Sequence, residues 1–390
     1  MKKQAILKAL AGVVLLGLLG AGNAGAAGIT VYADGEKYLK IGGRIQLQYH
    51  QIDPDDGESS DDLFFRRLRP YIEGSVHKDW LGKFQWDMGK AENDNEIAVK
   101  DAYMMYKGFS GIEISVGNRK SAFSREFLTS SKKQQLIERT FVGDHNYGTP
   151  DRSAGLHVTG VAFDKKLTWG ATVASASIDP DAKKLDFDTP INRDDDFNEG
   201  WLAAGRVDFH PLGHLKMEQG DFKREPKATI GLAAFIWGND DDNNTYTDET
   251  TGLSTSTSKA DVDSVTGFEI SGALRGYGFS VDAQYNLFIA ETIVDTFTGG
   301  IYENGETDLE NWAVKVGYMI VPDKLELVAG YQVQDADNYV EEWTRTSVGV
   351  NYFFQKHDIK LQAAYRMGEN IDGVDGSDKD EVFVQAQYVF

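Results

Sequence analysis

The segment Glu381–Phe390 limits the possible folds more than any other feature of the chain. Val382, Val384, Ala386, Tyr388 and Phe390 fall on one face of an extended strand, and Glu381, Gln385 and Gln387 fall on the other. A strand with this period of two presents one oily face and one wet one. The pattern recurs upstream. Ile359, Leu361, Ala363, Tyr365 and Met367 oppose Lys360, Gln362 and Arg366, and Val348, Val350, Tyr352 and Phe354 oppose Ser347, Gly349 and Asn351. Further stripes run through Leu325–Val333, Trp312–Ile320, Phe279–Leu287, Ile230–Ile236, Trp201–Phe209, Leu167–Val173, Ile112–Val116 and Ile41–Tyr49. A soluble sandwich also alternates. Here, however, Trp, Tyr and Phe return near the ends of the outward faces, where a membrane girdle needs them. Closing the sheet pairs every strand and satisfies each backbone group in lipid. The expected fold is all-β: a closed, antiparallel transmembrane β-barrel, oily outside and wet within.

Connection lengths refine this. Short turns are expected at His77–Asp79, Gly108–Gly111, Asp164–Lys166, Arg275–Gly278, Val321–Lys324 and Gln355–Asp358, with a longer one near His210–Pro226. Long polar segments alternate with them at Gln51–Asp62, Lys120–Arg152, Ser177–Glu199, Asn239–Asp263 and Gly368–Lys379. Short turns on one side and long loops on the other are the asymmetry of outer-membrane barrels. The count is sixteen strands, with seven turns and eight loops and both ends periplasmic. Alternation also explains how 41% hydrophobic residues coexist with a mean hydropathy of -0.40.

The first residues read as an export leader: Lys2, Lys3 and Lys8, then apolar Val13–Leu19, then Ala24-Gly25-Ala26. The apolar run is shorter than the ~20 residues of a spanning helix. The division is therefore a signal peptide, 1–26, and one barrel domain, 27–390. The chain has no cysteine, which excludes disulfides, thiolate metal sites and cysteine nucleophiles. Its net charge of -21 argues against nucleic acid, which needs clustered cations. The acidic runs Asp53–Asp56, Asp194–Asp196 and Asp240–Asp242 read as solvated loops; oxygen ligands there could instead hold Ca²⁺, but EF-hand spacing is absent. His145 beside Asp144 is a lone loop histidine, and no Gly-x-x-x-x-Gly-Lys-Ser/Thr motif occurs. No cofactor, resident metal or enzyme activity is expected.

Leu39-Lys40-Ile41-Gly42-Gly43-Arg44-Ile45-Gln46 and Phe64-Phe65-Arg66-Arg67-Leu68-Arg69 resemble the phosphate-selective porins of the O and P type. The resemblance continues through Lys78-Asp79-Trp80, Asp101-Ala102-Tyr103, Val116-Gly117-Asn118-Arg119, Thr129–Lys132 and Leu136–Arg139. It returns at Gly349–Phe354 and Gln387–Phe390. The aromatic carboxy-terminus on an alternating strand resembles the signal read by the barrel-assembly machinery. The resemblance implies a homotrimer in the outer membrane of a Gram-negative-type bacterium, in contact with lipid and lipopolysaccharide. It also implies a third loop, here Lys120–Arg152, folded into the lumen, and passive diffusion of small inorganic or organic ions. Ser130–Arg139 is helix-compatible; an ordinary exposed loop is the alternative.

Pore charge sets ion preference: arginine and lysine rings favour anions, acidic rings cations. Strand parity turns Lys40, Arg44, Arg67, Arg69, Arg119, Arg206, Lys315, Arg345, Lys360 and Arg366 inward. It gives Arg66 a lipid-facing position, at the outer rim or a subunit interface. The resemblance carries an anion pathway onto Arg44, Arg66, Arg67, Arg119, Lys132 and Arg139, with an acidic pore position at Asp87; Arg69 and Lys133 complete the candidate set. Glu73, Asp87, Glu113, Asp208, Glu269, Asp282, Glu326 and Glu381 share the lumen. Opposed acids and bases could instead pair and brace the wall. A cation-preferring porin, or an occluded structural or receptor barrel, is the functional alternative.

Overall fold

A computed structural model describes residues 28–89, 97–187, 199–239, 246–247, 254–255 and 260–390. The leader and the acidic runs at 194–196 and 240–242 lie outside these described residues.

Alternation becomes strands as expected. The first eight are β1 Lys37–Pro54, β2 Ser60–Ser75, β3 Trp80–Asp87, β4 Ala98–Phe109, β5 Ile112–Lys120, β6 Arg152–Ala162, β7 Leu167–Ser175 and β8 Glu199–Phe209. The second eight are β9 Lys227–Asn239, β10 Val262–Gly276, β11 Phe279–Thr292, β12 Glu306–Val321, β13 Leu325–Asp335, β14 Trp343–Gln355, β15 Ile359–Glu369 and β16 Lys379–Val389. Each pairs antiparallel with the next, and β16 returns to β1, from Lys379↔Pro54 to Val389↔Arg44. The sixteen strands form a closed barrel. A further short strand, Ile29–Asp34, lies on the edge of β1 that β16 leaves free beyond Phe390.

Six turns at one end have two to four residues. Tyr277 and Gly278 form a two-residue hairpin with φ of 56° and 93°. Positive φ at both positions matches the twist of the flanking strands, and glycine adopts it without steric cost. The seventh turn, 210–226, is much longer. At the other end, strands run further than the polar composition suggested, so the first loop shrinks to 55–59.

Burial follows parity. On β12, Thr307, Leu309, Asn311, Ala313 and Lys315 are buried, whereas Val314, Val316, Tyr318 and Ile320 face outward. Trp80, Phe109, Phe163, Phe209, Tyr277, Phe279 and Tyr388 lie exposed beside the short-turn end, where amphipathic rings suit the lipid–water boundary.

The lumen is not wet throughout. Phe235, Trp237 and Phe288 point inward from β9 and β11. They pack against Phe123, against Leu185 and Phe187 from the loop after β7, and against Ile301 and Tyr302 from the loop after β11. Large aromatic surfaces make this an apolar core inside the barrel. The expectation of a wholly polar interior is corrected: along β8–β12 the loop-side half is dry, and open space is displaced towards β1–β7.

Candidate functional site: a cationic passage beside loop 3

Loop 3, residues 121–151, crosses the lumen, and the far wall grips its backbone with side-chain amides. Gln387 donates to Lys132 O at 3.0 Å, and Asn351 and Gln362 both donate to Gln135 O, at 3.0 and 2.9 Å. Lys360 Nζ donates to Gln134 O at 2.8 Å. Gln284 and Asn286 share Val142 O, and Phe141 N donates to Gln332 Oε1 at 2.9 Å. These bonds correct the helix expected at Ser130–Arg139. Carbonyls that a helix would use internally are taken by the wall. The helix is only Arg125–Leu128, with Ser124 Oγ accepting from Phe127 N at 3.1 Å, followed by a 3₁₀ turn at Ser131–Lys133.

Cations of the far wall point inward but are committed. Arg206 pairs with Asp208 and Glu269, both at 2.7 Å, and Arg366 pairs with Glu381 at 2.6 Å. Lys315 holds Glu126 of loop 3 at 2.7 Å, while Arg345 stacks on Phe141 and Trp343 at 4.2 and 4.3 Å. Here the bracing role is the one the side chains perform.

The near wall differs. Between loop 3 and β1–β8 lies a cavity of about 1540 Å³, whose lining includes the paired Arg206 and Asp208 of β8. It is lined by fifteen lysines and arginines against eight aspartates and glutamates. Two β-bulges contribute to this excess. Gln46 pairs with Arg67 and Leu47 with Phe65, so Arg66 is an extra residue in β2. Gln85 pairs with Asp101 and Trp86 with Val99, so Lys100 is an extra residue in β4. A bulge re-aims the side chain it inserts. Arg66 therefore faces the cavity beside Arg67, which corrects the lipid-facing position that parity assigned to it. Its Nε and Nη2 donate to Glu138 Oε1 and Oε2 at 2.8 and 3.0 Å, a bidentate pair. Burial alone would raise the Glu138 pKa, but Arg66 and Arg67 hold it down at about 2.

The other candidates are placed as follows. Arg44 Nη1 approaches Ser130 Oγ at 3.4 Å, and Arg67 Nη1 donates to Gln46 Oε1 at 3.2 Å. Arg69 donates to Asp87, whose other oxygen accepts from Leu68 N and Gly89 N at 3.0 and 3.2 Å. Arg119 lies over the Tyr103 ring at 5.2 Å. Arg139 donates to Phe127 O and Thr129 O, and its guanidinium and Lys120 Nζ lie 5.2 and 4.6 Å from the centre of the Phe127 ring. Burial lowers the Arg139 pKa to about 10, against the pull of Glu126 and Asp144. Lys132 borders the cavity, but Lys133 turns away and pairs with Glu218 at 3.0 Å.

Sequence reading missed Lys83, Lys100, Lys120 and Arg152. Lys83 and Arg152 flank Asp101 at 2.8 and 2.7 Å, and Lys120 pairs in register with Arg152 at the root of loop 3. Only Lys83 had a usable signal, since it shares polar parity with Gln85 and Asp87. His145 Nδ1 lies 2.8 Å from Asp186 Oδ1. Burial opposes its protonation, but Asp186, Asp144 and Asp151 raise its pKa to about 9. It joins loop 3 to the loop after β7.

Residues 39–209 match the family model of phosphate-selective porin O and P. Over that span the chain is similar to the O and P family of porins. The span ends at Phe209, the last residue of β8, so it takes in the wall that carries the cationic excess. The resemblances at Gly349–Phe354 and Gln387–Phe390 lie outside it. An uncharacterized protein of Aquifex aeolicus (strain VF5) is 27% identical over 248 residues, which are 52% of this chain and 59% of that protein. This porin thus spans about three-fifths of the length of the curated relative it matches. Among solved structures, the anion-selective porin from Comamonas acidovorans has a TM-score of 0.61 at 12% identity, covering 91% of this chain and all of that one. OmpT of Vibrio cholerae in its trimer form has a TM-score of 0.54 at 15% identity, covering 90% of this chain and 99% of that one. These likenesses show the barrel fold. With the family match, they place this barrel in the outer membrane.

Proposed function

We propose that this porin is a homotrimeric diffusion channel that favours phosphate or other small anions. One observation carries the reading. A chain of net charge -21 lines its cavity with fifteen basic side chains against eight acidic ones, reversing its own sign where solutes would pass. In a narrow, poorly hydrated passage such an excess attracts anions and repels cations. Arg44, Arg66, Arg67, Arg69, Arg119, Lys132 and Arg139 are the pathway residues in this reading, joined by Lys100 and Lys120. Asp87 orients Arg69, and Lys133 braces loop 3. Arginine forks suit phosphate and carboxylate oxygens. The anion-selective porin from Comamonas and the trimeric OmpT share this fold and lend support to anion preference and to a trimer.

Reversal potentials in planar bilayers under a salt gradient test it, with chloride and phosphate compared. The expected sign is anionic. Neutralising Arg67, Lys132 and Arg139 together should move the reversal potential towards zero. Cation preference of the unsubstituted protein at neutral pH would overturn the reading, and absence of conductance steps would favour an occluded barrel.

A further inference from the structure

The turn between β8 and β9, residues 210–226, has seventeen residues where the other six have two to four. It does not hang below the barrel. Leu215, Gln219 and Asp221 are buried. The strip reaches across the lumen to the far wall, where Phe222 packs edge-on against Phe353 and His357 at 4.9 and 5.0 Å. His357 Nε2 lies 2.8 Å from Gln219 O, and Arg275 donates to Glu218 O at 2.7 Å.

From beneath, the same strip meets loop 3. Gln219 N donates to Lys133 O at 3.0 Å, and Gln135 N donates to Gln219 Oε1 at 2.8 Å. The pair Lys133–Glu218 lies beside them. Buried backbone groups of two inserted segments therefore satisfy one another, which is costly to undo in the absence of water. Leu215 and Met217 of the same strip border the cavity, with Met217 Sδ 3.5 Å from Arg125 Nη1 of loop 3.

We propose that this turn is a second constriction, inserted from the side opposite loop 3. It closes the lumen beneath β9–β15, leaves the exit of the cavity at the rim formed by Leu215 and Met217, and holds loop 3 from below. The inference rests on the channel reading but not on the sign of the ions.

The absence of native cysteine makes a thiol test clean. Met217→Cys, treated from the short-turn side with a charged methanethiosulfonate, should lose about a third or more of its single-channel conductance, because a group at a narrow exit displaces conducting volume. The unsubstituted porin should not respond. Lys223→Cys, on the exposed part of the same turn, should label without effect. Complete labelling of Met217→Cys with unchanged conductance overturns the proposal, and so does failure to label from either side. Replacing residues 213–224 by a short Asn-Gly turn should raise conductance about twofold or more, since the closed half of the lumen becomes a second path; equal conductance overturns it. If that shortened barrel does not fold, the Met217→Cys result decides. Altered ion preference alone would bear on the charge reading and leave this one standing.

Discussion

At the scale of single residues, the passage depends on which charges have partners. Glu138 neutralises part of Arg66 by a bidentate bond and part of Arg67 by an ion pair at 3.7 Å. Glu138→Gln should therefore make the channel more anion-preferring, read as a larger reversal potential in the same salt gradient. The pH dependence has a definite sign. The folded pKa of about 2 lies below the ordinary 4.5, so this group's contribution is fully present above pH 4.5 and is lost as pH falls through 2. Its size is on the order of 3 kcal/mol at most. Unfolding midpoints in detergent from pH 7 to pH 2 should fall more steeply for the unsubstituted porin than for Glu138→Gln. His145 behaves oppositely. Its pKa is raised from 6.5 to about 9, so the link to Asp186 is fully present below pH 6.5 and is lost as pH rises through 9. Amide exchange around 144–148 should accelerate above pH 9, and His145→Ala should already exchange fast at pH 7.

At the scale of elements, the two bulges matter most. Arg66 and Lys100 each stand opposite no residue of the neighbouring strand. Deleting Arg66 makes Leu47↔Phe65 and Gln46↔Arg67 consecutive pairs of a regular ladder. The deletion variant should fold, judged by heat-dependent mobility on a gel, yet show weaker anion preference. A variant that fails to fold would mean the bulge is needed for closure rather than for charge. Outward faces follow the simpler rule of parity. They were legible residue by residue because a strand's two faces are set by its own backbone.

At the scale of the whole molecule, the barrel holds its inserted segments by amide side chains rather than by an oily contact alone. Asn351 and Gln362 both hold Gln135 O. Replacing both by alanine leaves that carbonyl without these donors and should cost about 1–3 kcal/mol. Single-channel recordings should then show more open-state noise and brief larger openings; quiet traces identical to the parent would mean that the remaining contacts suffice. The same arrangement divides the lumen. Loop 3, the long turn 210–226 and the apolar core around Phe235 and Phe288 fill the side of β8–β15, and the cationic cavity runs along the side that the family model matches.

The alternation of residues by itself determined the barrel, the lipid-facing side of its strands, the sixteen-strand count and the rhythm of turns and loops. Each of these follows from the two-residue repeat of one extended chain and from the need to satisfy its backbone in lipid. It also placed Arg44, Arg67, Arg69 and Arg119 on the inner face. Only the tertiary structure decided that Arg66 and Lys100 join them, because a bulge is a property of two paired strands and neither strand alone records the skipped residue. Likewise Ser130–Arg139 could serve as a helix until wall amides took its carbonyls. Lys315 and Arg366 could have lined a path, but Glu126 of loop 3 and Glu381 of the neighbouring strand hold them. Parity says which way a side chain points; what it meets there depends on residues brought together from distant parts of the chain.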